Sequence, residues 1–235
     1  MTFEEWREQA PKRFFELLIA SVLFAPLAAG AVTIEAGAGM TRYRTGDGTW
    51  YQLGVEHKLF DMPRAWSVGV TGDLYATENW GVAWHLDYVN LGRASASCNC
   101  TPVDANYDPK NHVLLNDSVP RAHYSGSGYA HGAVLSIEPY LTRNHWRFGA
   151  EVGVMAYLPI WNETVTGWQP DVSVPAQSLT LSTPRAIRPA LVVGASIGRD
   201  KWTLSYRHYF LRRVNDINVP PLWNDADVIE YKVRF

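Results

Sequence analysis

The chain has 235 residues, 47% of them hydrophobic and 13% aromatic, with 19% charged and a formal net charge of −2. One domain of that length can bury a sizeable core, the near-zero charge argues against nucleic-acid binding, and ten Trp, twelve Tyr and eight Phe exclude a disordered chain. Two cysteines rule out both a disulfide scaffold and a four-cysteine zinc site, and a mean hydropathy of −0.16 excludes a helical membrane protein.

Lys12-Arg13 precede the apolar run Phe14–Ala31, which exits through small residues at Ala29-Gly30-Ala31. A basic pair, an apolar stretch and a small-residue exit predict a secretory signal peptide over 1–31, leaving 32–235 as the mature domain. Export implies an oxidising compartment.

From Val32 onward the apolar period is two. Val32, Ile34, Ala36, Ala38 and Met40 alternate with Thr33, Glu35, Gly37, Gly39 and Thr41, and similar alternation follows at 49–59 and around Trp66, Val68 and Val70. In 80–92, Trp80, Val82, Trp84, Leu86 and Tyr88 share one face, with Gly81, Ala83, His85 and Asp87 on the other. The pattern returns at 129–141, 145–158, 186–198, 202–211 and 227–235. Repeated alternation of this kind predicts an all-β chain of antiparallel strands. Tight turns are expected at Thr77-Glu78-Asn79, Arg143-Asn144 and Arg199-Asp200, and long polar loops at 93–128, 159–185 and 212–226. Short turns on one side and long loops on the other suit an outer-membrane barrel better than a compact soluble domain. Nine candidate segments are present, but a barrel with both ends in the periplasm needs an even number. Eight strands are predicted, with ten as the alternative.

Parity assigns the two surfaces. One parity collects Phe148, Val152, Leu191, Leu204, Ile229 and their neighbours. The other collects Glu138, Arg147, Glu151, Arg188, Arg207, Glu230, Lys232 and Arg234, interleaved with Gly149, Gly153, Gly194 and Gly198. In an eight-stranded barrel the interior is only wide enough for side chains. These residues, with Glu35, Asp73 and Asp87, are therefore expected to fill the lumen as ion pairs rather than line a pore or act as acid–base catalysts. A soluble exported β-sandwich would show the same alternation with its charges facing water.

The segment Asn79-Trp80-Gly81-Val82 through Asp87-Tyr88-Val89-Asn90-Leu91-Gly92 resembles the turn and upward strand of small OmpA/OmpX-like outer-membrane barrels. The terminal alternation Ile229, Tyr231, Val233, Phe235 resembles the recognition tail of bacterial outer-membrane proteins. The resemblance implies residence in the bacterial outer membrane among lipids that include lipopolysaccharide, and recognition of Phe235 by the barrel-assembly machinery. It also implies one of several functions: adhesion, resistance to host defence, receptor masking or lipid A modification. Eight-stranded lipid A deacylases carry His-x-Ser-Asn on the outer face of the penultimate strand. Here His208 stands in that place, but Phe210 and Leu211 occupy the Ser and Asn positions. Without a hydroxyl the histidine has no nucleophile to activate, so a non-enzymatic protein is expected, with His208 the catalytic candidate of the alternative reading.

Cys98 and Cys100 could pair, although the ring would be small. His112 and His123 are the nearest imidazoles, at no compact zinc spacing, and no cofactor is expected. The long loops carry Tyr107, Tyr124, Trp161, Trp168 and Trp223, read as recognition residues for an unidentified surface partner.

Overall fold

The computed structural model describes residues 32–44, 58–60, 63–100, 107–108, 113–114, 122–168, 175–182, 185–211 and 225–235. The predicted signal peptide lies outside these residues. Their strands are β1 (Thr33–Arg44), β2 (Lys58–Phe60), β3 (Arg64–Ala76), β4 (Trp80–Cys100), β5 (Tyr107–Asp108), β6 (Val113–Leu114), β7 (Ala122–Arg143), β8 (Trp146–Trp168), β9 (Gln177–Ser182), β10 (Arg188–Arg199), β11 (Trp202–Phe210) and β12 (Asp225–Arg234).

Eight of these close into one ring, β1–β3–β4–β7–β8–β10–β11–β12, and β12 pairs back onto β1 with every junction antiparallel. Among the described residues, the ninth sequence segment, 49–59, overlaps the three-residue β2, which lies off the ring against β4. The extra candidate thus resolves to eight wall strands and not ten.

The tight turns and both ends of the described chain lie at the same end of the ring, the periplasmic end. Thr77 closes its turn by donating from its N–H and Oγ1 to the Trp80 carbonyl, at 2.8 and 2.7 Å. Asn144 and His145 both take positive φ (52° and 68°), the backbone of a two-residue type I′ hairpin. Phe235 N–H meets the Ile34 carbonyl at 2.9 Å, fastening the last residue across the β1–β12 seam.

The outward surface is apolar. Leu141, Ile229 and Ile34 are 63%, 58% and 56% exposed, whereas inward Glu35, Asp87 and Glu230 are at most 2% exposed. A belt of exposed Leu, Ile, Val and Phe around a closed wall is far beyond what a water-soluble surface carries. Aromatics ring the periplasmic edge, where Trp146 meets Trp202 edge-on at 5.5 Å and Trp202 stacks on Tyr231 at 6.2 Å. The protein is therefore a transmembrane β-barrel of the outer-membrane kind. The soluble sandwich is ruled out because there is one closed ring, with its charges inside.

Two of the three expected long loops, 93–128 and 159–185, are in large part strand, while 212–224 lies outside the described residues. β4 continues to Cys100, β7 begins at Ala122, and β8 runs to Trp168, where it pairs with β9. With β2 they form a sheet that rises past the lipid belt on one side of the ring. Hydropathy does not reveal this extension because its alternation is small against polar. Ala94, Ala96, Gly126, Gly128 and Trp161 face in, while Ser95, Ser125, Asn162 and Thr164 face out.

Candidate functional site

The lumen has two storeys. In the periplasmic half, inward positions of six strands bring together Glu35, His85, Asp87, Glu138, Glu151, Arg207 and Lys232. Lys232 Nζ donates to Glu35 Oε1 and Asp87 Oδ2, each at 2.9 Å. Arg207 clamps Glu151 with two bonds, Nε to Oε2 at 2.8 Å and Nη2 to Oε1 at 2.7 Å, and also meets Asp87 Oδ2 at 2.6 Å. That forked geometry is what a planar guanidinium supplies and an ammonium cannot. His85 lies between two carboxylates, Nδ1 3.1 Å from Glu35 Oε1 and Nε2 2.7 Å from Glu138 Oε2. Both nitrogens can donate only in the imidazolium form. Glu138 also receives Arg147 Nη2 at 3.2 Å and Ser196 Oγ at 2.6 Å, and Ser136 donates to Glu151.

Glycines on neighbouring strands make room for these chains. A Cβ at Gly149 would collide with the Glu138 carboxylate, one at Gly69 with Asp87, and one at Gly37 would come within 2.6 Å of Glu230.

The expected network differs from the observed one in its membership. His85, which the sequence places on the polar face of its strand but which was not counted among the pairing residues, is central. Arg188 is outside it, with a buried Nε that has no hydrogen-bond partner. Glu230 has one carboxylate oxygen similarly without a partner, Arg234 approaches Glu35 only to 3.6 Å, and Asp73 accepts a hydrogen bond from Tyr140 at 2.9 Å instead of pairing with a cation.

The extracellular half of the lumen is not ionic. It is packed with Tyr43, Val89, Leu91, Val134, Met155, Tyr157, Trp161, Val192, Tyr209 and Leu211 in one contiguous core. The expectation of a lumen filled throughout by ion pairs is corrected on this point, because above Arg207 the inward positions are mostly apolar, with Arg188 and Glu163 as isolated charged residues among them. Trp161 is part of this core at 1% exposure, not a surface recognition residue. Its indole lies against Gly126 and Gly128, and its Nε1 donates to Glu163 Oε2 at 3.0 Å. Burial pushes the Glu163 carboxyl up from its ordinary range, opposed in part by that indole bond.

Of the other aromatic candidates, Tyr124 is a half-buried residue on β7 and Trp168 ends β8. Tyr107 starts β5, which pairs with β6 as a small separate hairpin. The side chains of Trp168 and Tyr107, and all of Trp223, lie outside the described residues. So do the side chains of Cys98 and Cys100, whose backbones occupy alternate positions of β4 opposite Tyr124 and Ala122.

On the outer wall, His208 Nδ1 is 2.7 Å from Asp227 Oδ1, and Asp227 also accepts from Tyr206 Oη at 2.6 Å and Arg44 Nε at 2.7 Å. The outward neighbours of His208 are Tyr206, Phe210 and, across the strands, Val193 and Asp227. Neither the strand nor its partners bring a serine, threonine or cysteine beside the imidazole among the described residues.

No protein-family model and no curated protein matches the chain. Among solved structures, similarity is found to Ail, the attachment invasion locus protein of Yersinia pestis, crystallised with and without the heparin analogue sucrose octasulfate. The identity is 11% over 88% of this chain and 99% of that one, with a TM-score of 0.37. Neisserial surface protein A is similar at 12% identity, over 88% of this chain and 97% of that one, with a TM-score of 0.35.

Proposed function

We propose that this protein is a non-conducting, non-enzymatic outer-membrane barrel that binds a partner at the cell surface through its protruding sheet and the loops it carries. The observation that carries the reading is the two-storey lumen. Tyr157, Trp161, Tyr209 and Leu211 are buried within its extracellular half, and an eight-stranded wall leaves no room for water beside them. A barrel closed in this way works from its surface. The same packing stiffens the underside of the extension, so that loops above it are presented from a rigid base. Cell-surface masking of a receptor is one form such binding would take, and the 74% exposure of Phe235 at the end of the closing strand supports the reading that assembly machinery recognises it.

Two measurements test this reading. Purified barrel in planar bilayers is expected to give no stable conductance steps. Cells expressing the protein are expected to lose surface binding when 101–121 is replaced by a short turn while the barrel still shifts on unheated gels. Stable channels, or binding unchanged by the replacement, would overturn it.

The alternative, a lipid A deacylase, is favoured by the outward His208–Asp227 pair at the level of the outer leaflet. It predicts deacylated lipid A on expression and its loss in His208→Ala. A lipid A mass spectrum unchanged by expression removes it.

A further inference from the structure

We propose that the outward face of β1, β3, β4, β7 and β8, where it leaves the bilayer, docks a phosphorylated glycolipid of the outer leaflet. In this arrangement Arg42, Arg64 and Arg93 hold the phosphate, and the hydroxyl rows that rise beside them from β4 onto β7, β8 and β9 hold the sugar. Arg42, Arg64 and Arg93 are exposed residues on three adjacent strands, just above the apolar belt. Arg64 stands opposite Met40, the outward residue one step below Arg42, and Arg93 lies beyond the bulge of β4. Among the described residues no carboxylate pairs with any of the three, although nearby Arg44 holds Asp227 at 2.7 Å. Among the described residues Arg93 meets Ser127 Oγ at 3.4 Å and the Tyr129 ring, 5.7 Å from its centroid. Three unpaired guanidiniums at a membrane boundary form a cationic strip that an anionic headgroup would complement. The strip ends at β1, where Arg42 stands in register opposite Asp227 and Arg44 opposite Asp225 of β12.

Above Arg93 the outward positions of β4, β7, β8 and β9 are ordered in uncharged rows, with Lys58 of β2 in register beside Ser97. Ser97, Ser125, Thr164 and Thr180 are opposite one another across β4, β7, β8 and β9, and Ser95, Ser127, Asn162 and Ser182 form the next row down. Neighbouring strands stand about 4.8 Å apart and same-face residues about 6.8 Å along a strand, giving a flat lattice of donors and acceptors suited to a polyhydroxyl chain. Below the strip come Val68, Leu86, Ile137 and Val152. At the junction Trp66 packs on Tyr88 at 5.7 Å, and Tyr88 Oη meets His131 Nδ1 at 2.5 Å. One continuous surface therefore presents apolar, cationic and hydroxyl zones in the order in which a glycolipid presents acyl chain, phosphate and sugar. The site rests on the transmembrane orientation and is independent of the surface-binding reading.

The test uses the mature barrel in phosphatidylcholine nanodiscs doped with bis-phosphorylated lipid A, counting the lipid A retained per barrel by mass spectrometry. Wild type is expected to retain it in preference to dephosphorylated lipid A. The variant Arg42→Gln/Arg64→Gln/Arg93→Gln should lose at least about tenfold in retention. Arg143→Gln/Lys201→Gln, which removes charge at the opposite end, should retain it fully. Equal retention by the triple variant and wild type, equal loss in the control, or indifference to phosphate overturns the site. For the sugar half, wild type should prefer lipid A extended by a neutral core oligosaccharide, and Ser125→Ala/Thr164→Ala should erase that preference. Absence of the preference overturns that half. Gel heat-modifiability verifies that each variant is folded, and loss of cell-surface binding with lipid retention intact bears on the loop reading instead.

Discussion

Trp161 shows what a single side chain decides in this barrel. Its indole fits only because Gly126 and Gly128 lie opposite it on β7, and Gly126→Val would drive a branched side chain into the ring. Trp161→Ala should cost about 3–5 kcal/mol in unfolding free energy, the range for deleting a buried aromatic, read from urea titration of the barrel in detergent. Its partner Glu163 has a carboxyl raised by burial. Between the ordinary Glu value and that raised one, the folded state binds more protons than the unfolded state, so stability falls as pH rises through the window. Amide protection factors in upper β7 and β8, with the intrinsic pH dependence of exchange divided out, should therefore rise as pH drops below neutrality, and Glu163→Gln should remove the dependence while protecting the region at pH 7. Protection factors that fall below neutrality in the wild type would contradict this. Nothing in the local sequence marks Trp161 as buried. It stands two residues after Pro159 and precedes Asn-Glu-Thr-Val-Thr, a composition that reads as loop, and only its partnership with two glycines some thirty residues away turns it inward.

At the scale of the strand, β4 explains why parity was legible up to the membrane boundary and not beyond. From Gly81 to Leu91 the inward residues are odd-numbered; from Gly92 to Ala96 they are even. The switch is a bulge between Asn90 and Arg93, where the register on β7 slips. Gly92 makes it possible with φ +83°, its N–H held by Asn90 Oδ1 at 2.9 Å and its carbonyl by Tyr43 Oη at 2.8 Å. A Cβ there would come within 2.6 Å of the Arg64 carbonyl. Period-two reading ends at such a step because the hydrophobic set changes sides, and above it serine and alanine differ too little in hydropathy to restart the count. The wall strands, by contrast, were legible because each carries large apolar residues on one parity and charge or glycine on the other. Gly92→Val should cost at least about 1–3 kcal/mol through its backbone alone. It should also expose 93–121 to proteolysis while leaving the ring intact. Undiminished protease resistance would show that the bulge does not hold the extension.

For the whole molecule, the question is which storey of the lumen closes the barrel and which holds it together. Arg207 is the hinge between them, a fully buried cation shared by Glu151 and Asp87 at the base of the apolar core. Removing it strands Glu151 and leaves Asp87 with Lys232 alone, and Arg207→Met should destabilise the barrel by about 3–5 kcal/mol, as breaking a buried pair from one side does. Adding Glu151→Gln should recover much of that loss, because the penalty lies in the unpaired charge more than in the missing attraction. None of these changes touches Tyr157, Trp161, Tyr209 or Leu211, so conductance should stay absent in all of them. Cutting the upper storey, as in Tyr157→Ala/Tyr209→Ala, should leave the ion pairs in place yet let water reach them, and small unselective currents should appear. If instead Arg207→Met conducts and the double alanine variant does not, the seal belongs to the charged layer. The division of labour between a lower storey that orders the strands and an upper one that shuts the lumen would then be reversed.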